Sequence, residues 1–331
     1  MPGMSKAELF EVIVNAVGES GWNVLYITPP STHPFHMQVY RGEEGYRLCI
    51  YIWTLTHGGG RARPADEYRI QITGVDQIQA TAGEKTLLLG WWEKQGVFAG
   101  FDVRRHSGPL GRSPSIQIRR PCLEQAQTAG FSPCDKGNQE IAIAFRPDFF
   151  VEYVRQLEPL HDFGQSPEAF EVLSDLPQHP VTNDEALTNL DTNRRRTVVS
   201  VSRRLRNNDF RKRVLNAYTQ RCAVCGVQLK LIDAAHIVPV NHERSTDETH
   251  NGLALCTLHH RAYDQALITM DENYAVVFNK AQAVELGRLG LAAGVEKFKE
   301  NLRSEILVPD ALSDRPHVDY IRLANRIRGW P

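Results

Sequence analysis

The sequence contains no run of about 18 or more apolar residues, which excludes a helix crossing a bilayer, and no membrane partner is expected. Its start, Met1-Pro-Gly-Met-Ser-Lys-Ala-Glu, lacks the basic-then-apolar pattern of an export signal, so a cytoplasmic protein is expected. There is no internal repeat and no low-complexity tract. There is almost no net charge: 38 Lys and Arg face 39 Asp and Glu, for a formal balance of -1. The whole-chain charge therefore selects no partner, and charge has to be read locally. Cysteine is scarce, with six in 331 residues. Cys49, Cys122 and Cys134 stand singly and read as buried, reduced thiols. Cys222, Cys225 and Cys256 are grouped differently.

What is present is ordinary globular material, 42% hydrophobic and long enough for two cores. The fold class read from it is α+β. Residues 1–158 read as a mixed α/β domain for DNA recognition or ligand sensing. Leu9, Phe10, Ile13, Val14 and Val17 recur at helical spacing. Strand-like runs follow at 23–28, 36–40, 46–53, 67–73, 86–92 and 97–103. Two more, at 115–119 and 140–145, alternate as half-buried strands do. A helix over 147–157 closes the domain. Residues 159–193 carry Pro and Gly breakers and an acidic stretch, and read as a linker. Residues 194–331 form the second domain. A helix is expected there after Asp209 as N-cap, with Phe210, Val214, Leu215 and Tyr218 on one face.

Cys222-Ala-Val-Cys225-Gly and Cys256-Thr-Leu-His259 are two ligand pairs at the same spacing, about thirty residues apart. Two such pairs reach one tetrahedral ion and leave no open position, which is the pattern of a structural Zn2+ site. Between and after them lie Asp233-Ala-Ala-His236-Ile-Val-Pro, His250-Asn251-Gly252-Leu and His259-His260-Arg-Ala-Tyr-Asp264.

Together these segments, from about Arg194 to Phe278, resemble the HNH, or ββα-metal, endonuclease family in its zinc-stapled form. The resemblance implies a C-terminal ββα-metal domain that hydrolyses phosphodiester bonds. It assigns His236 as general base, Asn251 as the residue whose amide oxygen orients that imidazole, and His260 as ligand to a catalytic Mg2+ or Mn2+. Adjacent histidines point about 100° apart round a helix, so His259 and His260 can serve different metals. Many members place Asp or His immediately before the general base. Here that residue is Ala235, and either Asp264 or Asp233 is left to supply the missing ligand. His250 reads equally as a loop histidine near phosphates or as part of the site.

Phosphate contacts are expected from Arg194, Arg195, Arg196, Arg203, Arg204 and Arg206, and from Arg104, Arg105 and Arg112 in the front domain. His57-Gly-Gly-Gly60-Arg offers backbone amides to an anion without completing a phosphate loop. A reader that flips a base needs an aromatic pocket, and Trp53, Trp91 and Trp92 are available to line one. The function expected is a restriction or defence endonuclease whose front domain selects a sequence or modified base. The alternatives are a ligand-gated effector nuclease and a non-catalytic zinc-stapled DNA-binding protein. DNA is the expected partner, with a DNA methyltransferase system as an associate. Cutting both strands favours a homodimer, an expectation from function alone.

Overall fold

The computed structural model describes residues 4–58, 64–180 and 187–330. The anion-loop reading at 57–61 therefore lies largely outside the described residues. The chain divides into two compact units, Met1–Leu205 and Arg206–Pro331. No described helix is long and apolar enough to cross a membrane.

The first unit opens with the helix Lys6–Glu19, started by a capping box between Ser5 and Glu8. A seven-stranded sheet follows in the order β1-β2-β3-β7-β8-β12-β11. Its strands are β1 (Asn23–Tyr26), β2 (Phe35–Arg41), β3 (Glu44–Thr54), β7 (Lys85–Trp92), β8 (Val97–Phe101), β11 (Phe131–Gly137) and β12 (Glu140–Phe145). Only β3 and β7 run parallel; every other neighbouring pair is antiparallel. The excursion from β3 to β7 carries β4 (Thr56–His57), β5 (Glu67–Gln71) and β6 (Gln77–Ile78). With β9 (Gly108–Pro109) and β10 (Ser115–Arg119), these form two small sheets.

Of the two strands read as half-buried, β10 alternates as expected, whereas β12 is buried on both faces. One face of β12 sends Ile141, Ile143 and Phe145 into a core shared with the helices, while Ala142 and Ala144 enter a second core with Ile70, Ile116 and Leu123. Large residues on one face and small ones on the other imitate the alternation of a solvated strand. β11 has no strand signal because Pro133 interrupts it. As an edge strand it tolerates the missing N–H. The helix Arg120–Ala129, with Pro121 in its first turn, was not legible either.

The three tryptophans do not share one face of the sheet. Trp53, Trp91 and Trp92 are 5%, 8% and 6% exposed and are divided between the two cores. Phe98 and Phe101 are fully buried. Cys122 and Cys134, expected as separate thiols, are joined as a disulfide between the helix Arg120–Ala129 and β11. Cys49 is the buried free thiol of the three.

The segment read as a linker is largely part of the first unit. Its helices Leu157–Asp162 and Pro167–Asp175 bury Leu160, Ala169 and Leu173 in the first core, with Leu176, Leu187 and Leu190 beyond them. Pro167 sits in the first turn of its helix rather than breaking one. His161 is fully interior: its Nδ1–H donates to the Ile141 carbonyl at 3.0 Å, and its Nε2 lies 3.0 Å from the Tyr153 hydroxyl.

A 26-residue helix, Thr192–Ala217, contributes Val198, Val201 and Leu205 to the first unit's core. Its remainder gives Phe210, Val214 and Leu215 to the second unit's core. It starts at Asp191, whose Oδ1 accepts from the Asn193 and Arg194 amides. Asp209 is mid-helix, paired with Arg213 one turn on, and is not the N-cap. The second unit continues with β13 (Ile232–His236) antiparallel to β14 (Gly252–Cys256), the helix Thr257–Asp264, and the hairpin β15 (Ile268–Met270) and β16 (Val276–Phe278). The helices Lys280–Arg288, Val295–Glu300 and Val318–Ile327 complete it.

Candidate functional site

The two cysteine-histidine pairs converge. The ligand atoms of Cys222, Cys225, Cys256 and His259 all lie within 4.8 Å of one another. Gly226, at φ 78°, lets the chain turn behind Cys225. The His259 Nδ1 stands 3.6 Å from Cys222 Sγ and 3.2 Å from Cys256 Sγ, and Cys225 Sγ lies 3.9 Å from Cys256 Sγ. Burial opposes the Cys222 thiolate, but hydrogen bonds from His259 and from backbone amides outweigh it and bring the thiol down to about 6. A soft, compact donor set with one imidazole turned inward fits a tetrahedral metal ion.

β13 ends at His236, whose partner in register on β14 is Gly252. Two contacts fix the His236 ring. Its Nε2–H donates to Asp247 Oδ1 at 3.0 Å, and its face stacks on Phe210 with centroids 3.9 Å apart and planes within 13°. A carboxylate can only accept, so Nε2 carries a hydrogen, and in the neutral ring Nδ1 is the nitrogen with the free lone pair. Asp247 is itself placed by the long helix. Arg206 Nη1 stands 3.5 Å from Asp247 Oδ2, and Arg213 donates to the Asp247 carbonyl at 2.6 Å and to Thr249 Oγ1 at 2.8 Å.

Asp247 is the residue that the sequence reading missed, and Asn251 does not hold the role given to it. The Asn251 amide oxygen accepts from the Val238 N–H at 2.9 Å, not from the imidazole. Its amide group donates to the Thr246 carbonyl at 2.8 Å and toward Ser245 Oγ at 3.3 Å. Fully buried, Asn251 clasps the loop that carries Asp247, and so reaches His236 only indirectly. The sole sequence sign of Asp247 is an acid in the polar stretch between two motif segments. Substituting Asp247→Asn should lower cleavage by about 10–100-fold while leaving substrate affinity in place. An unchanged rate would remove Asp247 from the site.

His260 lies one residue beyond His259 on the helix Thr257–Asp264. His259 is 1% exposed, whereas the His260 side chain is 28% exposed. His260 Nε2 stands 3.7 Å from Asp264 Oδ2, one turn on. Asp233, the other carboxylate considered, is exposed and held by Arg211 Nε at 2.8 Å. No group of three ligands forms around His260 among the described residues. One imidazole and one carboxylate fit a hard divalent cation that keeps most of its waters.

His250 stacks on Tyr320 at 5.5 Å, with planes within 13°, and its carbonyl accepts from His317 N–H at 3.0 Å. At the back of β13, the Ile237 carbonyl accepts from Tyr263 Oη at 3.2 Å and Arg328 Nη1 at 2.8 Å. Gly252 brings strand and helix together: a Cβ there would stand 2.3 Å from Val214 Cγ2 and 3.0 Å from Phe210 Cζ. Gly252→Ala should therefore destabilise the second unit by about 1–3 kcal/mol, measured by denaturant unfolding, and disturb the ring on which His236 rests. An unchanged midpoint would refute that close approach.

Several arginines read as phosphate contacts are committed to the protein. Arg104 forms a forked pair with Asp102 at 2.8 and 2.9 Å and reaches Asp162 at 2.8 Å. Arg194 pairs with Asp191 and donates to the Asp162 carbonyl. Arg204 is half-buried and donates to the Asp148 carbonyl. Arg206 serves Asp247. Arg105 and Arg195 are exposed, each with one donation to a backbone carbonyl. Arg112, Arg196 and Arg203 are exposed.

Residues 46–154 match the family described as Methylase-associated X1, and residues 222–271 match the family described as HNH endonuclease. No curated protein matches the chain. Among solved structures, the chain is similar to one titled modification dependent TagI restriction endonuclease. The identity is 13%, the match covers 85% of this chain and 81% of that one, and the TM-score is 0.30. With its converged ligand pairs and the His236 strand in place, the second unit carries an HNH endonuclease domain, and the first carries a methylase-associated domain.

Proposed function

We propose that the chain is a metal-dependent DNA endonuclease of restriction type. His236 acts as general base, and the first unit selects which DNA is cut. The observation that carries this reading is the His236 imidazole, locked in one tautomer by Asp247 and in one plane by Phe210. A base held this way loses little entropy in reaching a water. Nδ1 takes a proton from that water, whose oxygen bonds to phosphorus as the bond to the leaving oxygen breaks. His260 and Asp264 would hold Mg2+ or Mn2+, which when bound supplies Lewis acidity toward phosphodiester oxygens. Cys222, Cys225, Cys256 and His259 would hold Zn2+ as a staple without chemistry of its own.

Of the arginines read as phosphate contacts, Arg105, Arg112, Arg195, Arg196 and Arg203, all within the first unit, are exposed and left to meet phosphates, and they predict a steep salt dependence. A methylase-associated domain is what a nuclease working beside a DNA methyltransferase would carry. Recognition of a modified base or a sequence is assigned to that unit.

The test incubates the full chain with unmodified DNA and with DNAs bearing different base modifications, each with and without Mg2+ or Mn2+. Cleavage of one class of DNA only, and only with the cation, is the expected result. Cleavage that waits on an added small molecule would replace this reading by a ligand-gated one. Binding without cleavage under every condition would leave a DNA-binding protein.

A further inference from the structure

The first unit holds a second convergence of metal-binding side chains, outside the nuclease domain. His36 on β2 and Cys49 on β3 are direct partners across the antiparallel pair, so their side chains leave the same face. Cys49 is in turn level with Thr86 on the parallel strand β7, and Glu84 lies just before that strand starts. Two neighbouring strands and the residue just before a third thus bring an imidazole, a thiol and a carboxylate to one spot. Their ligand atoms all lie within 4.8 Å of one another, the same limit that holds for the four-ligand cluster of the second unit. His36 Nδ1 and Glu84 Oε2 are 2.8 Å apart. Cys49 is 1% exposed, whereas the His36 and Glu84 side chains are 25% and 13% exposed.

From this arrangement we infer a transition-metal site, of the zinc class, formed by His36, Cys49 and Glu84. One sulfur, one nitrogen and one oxygen are the three donor types that zinc accepts, at bond lengths of about 2.0–2.3 Å. Donors at such lengths from one ion stand roughly 3–4 Å apart, within the spread found here. Three protein ligands leave one position of a tetrahedron, and the partial exposure of His36 and Glu84 gives water access to it. The thiol gives up its proton as the ion enters, and the His36 Nδ1 that faces Glu84 presents its lone pair to the metal. Cys49 also packs in the second core and hydrogen-bonds Thr81; the metal reading accounts in addition for its register position facing His36.

The ion would have a definite mechanical effect. β3 and β7 are the one parallel pair in the sheet, and the chain leaves the sheet for residues 55–84 between them. Glu84 is the last residue of that excursion. A metal bond from Glu84 to Cys49 closes the excursion onto the strand it left, and it ties β2 in as well.

Counting metal on the full chain tests the site. Protein dialysed against zinc and then against metal-free buffer is weighed by native mass spectrometry. Two zinc ions per wild-type chain are expected, and one in Cys49→Ser and in His36→Ala. Glu84→Gln, which keeps the shape and sits partly in solvent, should weaken the second zinc by tenfold or more and guards against misfolding of the buried variant. One zinc in the wild type, or two retained in folded Cys49→Ser and Glu84→Gln, would overturn the site. Cys225→Ser should lose the other ion, and so distinguishes the two sites.

Discussion

Replacing His236 with Ala should lower DNA cleavage by at least about a hundredfold, with metal content and DNA affinity unchanged. The size follows from the residue's one task. The imidazole is held through Nε2 by Asp247 and stacked on Phe210, which leaves its other nitrogen to take a proton. General bases contribute about 10²–10⁴ in rate, and the lower end applies if water attacks unaided once the phosphate is bound. His236 is the last residue of β13 and its ring rests on the core residue Phe210, so denaturant unfolding of the variant accompanies the rate measurement. Single-turnover cleavage under saturating enzyme isolates the chemical step. Full activity in the variant would move the general base elsewhere and with it the whole assignment.

The second large effect is on stability. Cys222→Ser, or exhaustive chelation, should abolish the cooperative unfolding of the second unit while that of the first persists. Structural zinc contributes about 10–16 kcal/mol in small zinc-dependent peptides, comparable with the whole stability of an ordinary domain. The second unit cannot absorb that loss easily, since its longest strands are five residues and its core is built around the cluster itself, with Cys222, Cys256 and Ala223 buried. The first unit has two cores of its own and a disulfide. Calorimetry or limited proteolysis should therefore show one transition lost and one kept. If both transitions survive chelation, the four ligands do not hold a structural ion.

The ligand pairs were legible because their spacing is local: two residues between partners fixes both on one ion whatever the fold does around them. His236 and His260 were read from short motifs in the same way, and the roles proposed for them rest on those motifs. Asp247 was not, since its meaning comes from a loop returning across eleven residues to meet a ring, and no pattern marks it. Asn251 was found but misread. Its type and position say that it is buried and bonded, yet only the structure shows that the bonds go to the Val238 amide and the Thr246 carbonyl. In the first unit, strand periodicity found most of the sheet but not its two-sided burial, because small and large residues alternate as polar and apolar ones would. Pro167 and the other breakers suggested a linker, where the sequence in fact starts a helix and buries Leu173 and Leu176. The arginines could be counted in advance. Which of them already had a carboxylate or carbonyl to hold could not.

The second unit's working parts extend beyond the stretch that looks like a nuclease. Residues 222–271 hold the metal ligands and His236, but Phe210, Arg206 and Arg213 precede that stretch and Arg328 follows it. A protein engineer who moved only 222–271 onto another carrier would transplant a base without the ring beneath it, and an Asp247 loop without the guanidinium that pins it. The portable piece runs from Arg206 to the C-terminal helix, and a join placed upstream must fall within a continuous helix. Exchange of specificity by cutting and pasting at the motif boundary should then yield poorly active chimeras that also lack the core residues Phe210, Val214 and Ile321.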